Sequence, residues 1–548
     1  MQSEHLPVGQ NRRARKEKMI RMEMRDKVFQ FFNILMLLVF LPVLICVVFI
    51  GNGMDYNEGL KLAVLLPNYV LFLAAVCGML ICAAIAGADK IQLNRRVNYL
   101  TDGILLFLFV LLYFINFRVA REIAFQPPWD IMVVSSHGRF IAEGNKLGYS
   151  AYFSIYTNNI PMTWLLSRVY TLAMENKDYP YVYDFIWLQM NCILVSVGGM
   201  LSCLTVKKLT RKIVPTAICF CLYLALAGIS PWKIAPYTDI GGLVFPVMCI
   251  WFYLCYRDAK KEIPKYLFLF FALAGGVLGS LIKPSTLITV IAVFGVELIR
   301  FLAERGNWKY ILAAAIFALM LFFAKGACMD YMMQELGLDF NEELEASWQY
   351  YFYMGLNEES TGSYSGDHSI YNDFQTSKRE RDAEALDRAF ERIAERGVLG
   401  QLWFWLRKMV MVFNDGLFGW GTEIWIWDYY PSEMAGNDGF TKLLRNIFWP
   451  AMAFTGKYQT FGQLAWIFCI TGIPGICLCP KKERSRYAVM TISFLGIFFY
   501  QMLFEARARY LVVFWPLLIA VSVCGMWQYA RMMSKIIEKR KNRREIEE

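Results

Sequence analysis

The sequence predicts an all-α polytopic integral membrane protein with about 12 transmembrane helices, and three observations carry that reading. Hydrophobic residues make up 57 % of the 548 positions and only 19 % are charged, well outside the range of soluble domains. Apolar runs of roughly 18–22 residues recur along the whole chain, each long enough to cross about 30 Å of hydrocarbon. Basic and acidic segments then alternate between these runs in a way that orients them. The polar/apolar alternation of a membrane β-barrel is absent.

Taken in order, the predicted spans are 29–50, 60–87, 101–118, 184–206, 213–229, 239–255, 265–282, 285–303, 310–326, 459–479, 487–504 and 511–528. A basic tail precedes the first. That first run is long and no small-residue cleavage site follows it, which argues against a removable signal. The stretch "NIPMTWLLSRVYTLAM" (159–174) is also apolar, but a crossing there would turn "KKLTRK" to the other side and break the charge pattern. It is read instead as a helix at the outer interface, with Arg168 and its Tyr and Trp neighbours at headgroup level. Within the long loop, "RDAEALDRAFERIAERG" reads as a helix with Leu386, Phe390 and Ile393 on one stripe, a Glu384–Arg388 pair and Gly397 as its stop. The following "LGQLWFWLRKMVMVF" reads as a second helix lying on the membrane.

Charge sets the orientation. Segments 1–28, 88–99, 207–212, 256–265, 300–309, 480–487 and 531–548 hold 33 of the 56 Lys and Arg, whereas 327–446 has 21 Asp and Glu against 10 Lys and Arg. By the positive-inside pattern both termini are cytoplasmic, in a multi-pass protein of the cell (plasma) membrane. The layout is then a basic tail (1–28), an additional hairpin with its loop (29–99), a transmembrane module (100–326) whose first outer loop is 119–183, a long outer loop (327–458), C-terminal spans (459–528) and a second basic tail (529–548).

The same facts exclude several function classes. The net charge of +10 is spent on orientation and needs no nucleic acid partner. Nearly all of the 14 cysteines lie inside apolar runs, so no disulfide framework follows, and three histidines do not suggest a zinc enzyme.

The unusual polar residues at membrane boundaries all fall on the outer side. They are Asp130 and His137; Tyr156, Asn158 and Asn159 of "YTNN"; Lys233, Tyr237 and Asp239; Lys283; and Glu505, Arg507, Arg509 and Tyr510. Ionisable groups at membrane depth are costly and mark sites. Arginine forks and a lysine suit a phosphate, and a carboxylate close by suits a general base. Each residue has a plainer alternative. Asp130 and Asp239 are also placed to cap helices, Lys283 to snorkel, and "YTNN" to make a turn. Arg507 and Arg509 run against the positive-inside pattern, which weakens the plain reading there.

The order of these elements resembles the GT-C superfamily of membrane glycosyltransferases, within it the bacterial, mostly Gram-positive relatives of the protein O-mannosyltransferases (family-39-like). An acid follows an early span, a Tyr-x-Asn-Asn-x-Pro stretch (156–161) opens a helix, and "YTD" (237–239), "IKPS" (282–285), "MGL" (354–356) and a late Glu-x-Arg-x-Arg-Tyr (505–510) follow. The resemblance covers roughly residues 100–528. It implies transfer of a sugar from a polyprenyl-phosphate donor to an acceptor at the outer face, whether protein, wall polymer or lipid. Asp130 would be the catalytic acid–base residue, with Asp239, Lys283, Arg507 and Arg509 at the donor phosphate. Two departures stand out. Ile131 and Met132 follow Asp130 where an acidic pair is usual, which favours transfer with no metal or other cofactor, and Thr157 replaces a proline. The two spans over 29–87 precede the resembling part and are expected to pack as a hairpin on the edge of the bundle. The rival functions are a flippase or transporter for a lipid-linked saccharide and a polysaccharide polymerase or ligase. The first is disfavoured by the lack of an internal repeat, the second by the presence of Asp130.

Overall fold

The computed structural model describes residues 8–51, 64–88, 94–125, 128–173, 182–304, 308–364, 376–423 and 436–547. In chain order its helices are α1 (Val8–Phe49), α2 (Asn68–Ala88), α3 (Arg95–Ile123), α4 (Trp129–Ala142), α5 (Ala151–Ile155), α6 (Ile160–Ala173), α7 (Val182–Thr210), α8 (Ile213–Tyr223), α9 (Thr238–Gly241), α10 (Val244–Asp258), α11 (Glu262–Ile282), α12 (Leu287–Glu304), α13 (Trp308–Leu336), α14 (Trp348–Met354), α15 (Lys378–Phe413), α16 (Gly439–Phe448), α17 (Thr455–Gly472), α18 (Arg484–Leu503) and α19 (Trp515–Glu547). Eleven helical segments among the described residues are long and apolar enough to cross a membrane. They coincide with eleven of the twelve predicted spans. The twelfth, predicted at 213–229, is the shorter apolar helix Ile213–Gly228, whose last turn is wound more loosely.

The bundle has a centre and a rim. Helix α19 is central, with 89 % of its apolar stretch buried, whereas α13 has 11 % buried and turns its apolar residues outward. The basic segments gather at one end. There Lys208 and Arg486 both pair with Asp258 (3.1 and 2.6 Å), Arg531 pairs with Glu483 (2.7 Å) and Lys309 with Glu262 (3.1 Å). The two long segments between spans meet at the opposite end. Gly148–Tyr149 pairs in parallel with Leu338–Asp339, and Thr157 donates to Glu345.

The apolar stretch that resisted assignment is α6. Fourteen residues rise only about 21 Å, too short to cross, and α6 packs instead on α4, α7 and α13. Arg168 pairs with Glu335 and stacks over Trp164. Helix α15 has a break at Gly397, whose φ of 61° suits only glycine well. Its first half corrects the expected stripe. Arg381, Ala385 and Ala389 are the buried positions and Phe390 is 59 % exposed, because small residues let the helix approach Tyr350 and Tyr353 closely.

Helices α1 and α2 touch each other through Asn68 and Val47, and each also reaches the neighbouring bundle. Phe40 of α1 packs between Phe413 and Phe494 (5.3 and 4.9 Å), while α2 packs on α17 and α19. A buried amide network ties both to the Asp130 end: Asn68 donates to Val47 O and Asn414 Oδ1, and Gln463 donates to Asn68 Oδ1 and Asn414 O. The two additional spans therefore hold the end of α15 in place.

Between α8 and α9 the chain runs irregularly through residues 229–237, nearly all buried. Irregular backbone at such depth persists only where the protein satisfies it. Asn191 of α7 donates to the carbonyls of Lys233 and Ala235, and the Trp232 indole donates to Leu417 O. This fixes Tyr237 and Asp239 at the mouth of the bundle.

Candidate active site

Asp130 lies in the first turn of α4, a helix docked by the Arg139–Asp184 ion pair to α7. It does not cap the helix; the N-cap position is Pro128. Instead its two oxygens accept from two tyrosines, Oδ1 from Tyr152 (2.8 Å) and Oδ2 from Tyr237 (3.2 Å). Asn159, the second asparagine of "YTNN", donates to the Tyr152 hydroxyl at 2.7 Å and is itself 1 % exposed. The polar turn thus acts through Tyr152 on Asp130. Burial, then the nearby Asp130 charge, pushes the Tyr152 hydroxyl well above the usual tyrosine range, so it stays protonated and donating. The Tyr156 ring lies tilted against Tyr152 at 5.2 Å, and Asn158 donates to Asn159. No described cation makes a salt bridge to Asp130.

Beyond Tyr237 lies a compact charge cluster. Lys283 pairs with Asp239 and sits 4.8 Å over the Tyr510 ring, so it does not snorkel. Arg509 reaches Asp239 at 3.8 Å and Glu423 at 3.6 Å, and Arg507 reaches Glu423 at 3.2 Å and Glu505 at 3.8 Å. Tyr510 donates to Glu505 (2.6 Å). The Arg509 guanidinium also lies against three rings, Trp129 (5.2 Å), Tyr237 and Tyr510 (5.6 Å each). Tyr237 is the shared wall, with Asp130 on its hydroxyl and Arg509 on its face.

Three cations here face three carboxylates, yet the pairing is incomplete as hydrogen bonding. Arg509 is 7 % exposed and Asp239 1 % exposed, and the Arg509 Nε and Nη1 and the Asp239 Oδ2 make no hydrogen bond to any described residue. Buried donors without acceptors are costly. An oxyanion arriving at Arg509 would find donors already stripped of water.

The arginines are held by a stitched segment. Glu505 N donates to Tyr351 O and Ala506 N to Gly362 O, both at 3.0 Å. The fully buried Lys408 donates to the carbonyls of Gly355, Met502 and Phe504 (2.6, 3.2 and 2.5 Å), so its ammonium caps the end of α18 and closes "MGL" against it. Gly355 is required by proximity, since a Cβ there would meet Phe504 backbone at 2.4 Å.

The structure thus brings together Asp130, Tyr156, Asn158, Asn159, Tyr237, Asp239, Lys283, Glu505, Arg507, Arg509 and Tyr510. His137 stands apart, two turns along α4, with its Nδ1 on the Val133 carbonyl (2.8 Å) and its ring edge-on to Phe153. Lys233 is also elsewhere, bonded to Asn116 and the Gly228 carbonyl. Sequence reasoning missed Tyr152, Glu423 and Lys408. Tyr152 had a weak signal, its one-turn spacing from Tyr156; Glu423 had none, 84 residues from its partner Arg507.

A family model described as "conserved hypothetical integral membrane protein" matches residues 21–529. The chain belongs to that family. The description states a membrane location and names no activity. No curated protein and no solved structure matches the chain.

Proposed function

We propose that the protein is a membrane glycosyltransferase of GT-C type that moves a sugar from a polyprenyl-phosphate donor to an acceptor hydroxyl at the outer face of the membrane. One observation supports this above the others: Tyr237 bridges a carboxylate with no cationic partner among the described residues and a guanidinium whose buried Nε and Nη1 make no hydrogen bond to them. A base and an anion site thus share one wall. In the reaction, Asp130 takes the proton of the acceptor hydroxyl as that oxygen bonds to the anomeric carbon. The bond from that carbon to the phosphate oxygen breaks, and its electron pair leaves with the polyprenyl phosphate. The departing charge is met by Arg509, Arg507 and Lys283, groups already oriented and partly desolvated. A single displacement inverts the anomeric carbon, and side-chain cations serve where a metal would otherwise act.

The test is release of polyprenyl phosphate from a panel of radiolabelled polyprenyl-phosphate sugars by purified protein in nanodiscs, with EDTA present, for wild type and Asp130→Asn. Release by wild type alone is expected. Movement of intact donor across the bilayer with no release would instead identify a flippase, and release only from longer lipid-linked chains a polymerase.

A further inference from the structure

The residue before Asp130 adopts a conformation that its side chain disfavours. Trp129 has φ of 56°, a left-handed backbone that a bulky residue rarely takes. Strain of this kind persists where the surroundings impose it, and it gathers at ligand clamps. The indole is also placed unusually. It is 37 % exposed, yet one face lies over Arg509, which is itself buried and in ionic reach of Asp239 and Glu423. An interfacial tryptophan that anchors a loop would turn its ring to acyl chains. This ring turns to the polar interior instead.

A second ring repeats the arrangement. Tyr364 is 45 % exposed and lies 6.0 Å from the Arg507 guanidinium, the neighbouring cation of the same cluster. Its charged neighbours are Asp130, Glu505 and Arg507, so it borders the same cluster of groups. Of the other rings at the cluster, Tyr237 is buried and Tyr510 is partly buried between Lys283, Glu505 and Arg509. Two partly exposed aromatic rings therefore stand at the mouth, each backed by one arginine, beside the carboxylate.

We propose that Trp129 and Tyr364 are stacking walls for a pyranose ring, and that they select a sugar-bearing phosphate over a bare one. Pyranoses present a face of C–H groups that packs on aromatic faces, while their hydroxyl edges seek polar groups. A phosphate on the arginines would place its attached sugar against the rings that those arginines hold, with Asp130 alongside. This rests on the glycosyltransferase reading and adds where the sugar sits and what recognises it.

The test is equilibrium binding in nanodiscs of bare polyprenyl phosphate and of polyprenyl-phosphate mannose, glucose and N-acetylglucosamine. Trp129→Gly is the informative variant, because glycine accepts the positive φ and leaves the start of α4 undisturbed. Wild type should prefer at least one sugar-bearing lipid by about tenfold over bare lipid. Trp129→Gly should abolish that preference and leave bare-lipid affinity within about twofold, Trp129→Phe should keep much of it, and Tyr364→Ala should weaken it by a few-fold. Equal loss for both lipids in Trp129→Gly would make Trp129 a support for Arg509 and overturn the proposal. So would a wild type that binds bare and sugar-bearing lipid alike, which leaves the anion site standing. Failure to bind any polyprenyl phosphate would overturn the glycosyltransferase reading itself, and the sugar walls with it.

Discussion

Two carboxylates in this protein are each held by a pair of tyrosines, at opposite ends of the bundle, and they differ in one respect. Glu297 of α12, at the basic end, accepts from Tyr253 (2.6 Å) and Tyr256 (3.0 Å), and Arg300 donates to both of its oxygens (2.7 and 2.8 Å). Arg257 then links Tyr253 to Ser485 on α18. Asp130 has the two tyrosines and no described cation; the nearest guanidinium it shares a neighbour with, Arg509, is on the far side of Tyr237. Glu297 is 2 % exposed, whereas Asp130 is half-buried beside a partly exposed ring. A carboxylate that already accepts from an arginine and two tyrosines is saturated with donors, and it ties helices together. One steadied only by neutral hydroxyls keeps its charge available for a ligand.

The comparison breaks most sharply on rate. Asp130→Asn keeps the size of the side chain and its place between the tyrosines but removes the base, so sugar transfer should fall by roughly 10²–10⁴-fold with folded yield unchanged. Transfer that survives intact would reduce Asp130 to a second Glu297. The reciprocal variant, Glu297→Gln, should leave transfer per folded molecule unchanged and lower stability by about 1.5–3 kcal/mol, because a neutral amide cannot replace the buried ion pair with Arg300. Thermal unfolding in nanodiscs reads this, and a loss of transfer as deep as that of Asp130→Asn would erase the distinction between the two ends.

A third carboxylate sharpens the contrast. Asp415, just past α15, has neither tyrosines nor a cation and accepts from the backbone N–H groups of Leu417 (2.7 Å) and Gly419 (2.6 Å). Burial pushes its carboxyl up to about 6, with Glu423 adding to the rise and the backbone donors opposing it. A carboxyl raised in the folded state contributes stability below its unfolded value near 4, and that contribution is lost as pH rises through about 6. The loss amounts to about 3 kcal/mol. Asp415→Asn should therefore flatten the stability profile between about pH 4 and 6 relative to wild type. Identical slopes in the two proteins would show that Asp415 titrates normally.

What the sequence disclosed and what it hid divide along physical lines. Span positions were legible because an apolar run long enough to cross is a local property, as is the stop at Gly397. The packing of α1 and α2 against the rest of the bundle was not, since Asn68, Asn414 and Gln463 are far apart in sequence and unremarkable singly. The α15 stripe misled because Leu386 and Phe390 are the larger apolar residues, whereas close packing on Tyr350 and Tyr353 favours Ala385 and Ala389. At the site, Asp130, Asp239, Lys283 and Arg509 announced themselves as charges at span ends. Their partners did not, because Tyr152 is an ordinary aromatic in an aromatic-rich chain and Glu423 an acid in an acidic loop, meaningful only once the fold sets them within a few ångströms.

The finest test concerns the hydroxyl that holds Asp130 without neutralising it. Tyr152→Phe removes the 2.8 Å bond to Oδ1 and leaves the buried Asn159 amide without the oxygen it donates to. The ring and its tilted 5.2 Å contact with Tyr156 remain, so the pocket wall should keep its shape. A hydrogen bond to a charged group contributes about 1.5–3 kcal/mol, which corresponds to a fall of roughly 10–100-fold in kcat. KM for the donor should hold, since the proposed phosphate site lies on the far side of Tyr237. A matching rise in KM with kcat intact would place Tyr152 in donor binding, and would mean that Asp130 and the arginines form one anion site with no separate base.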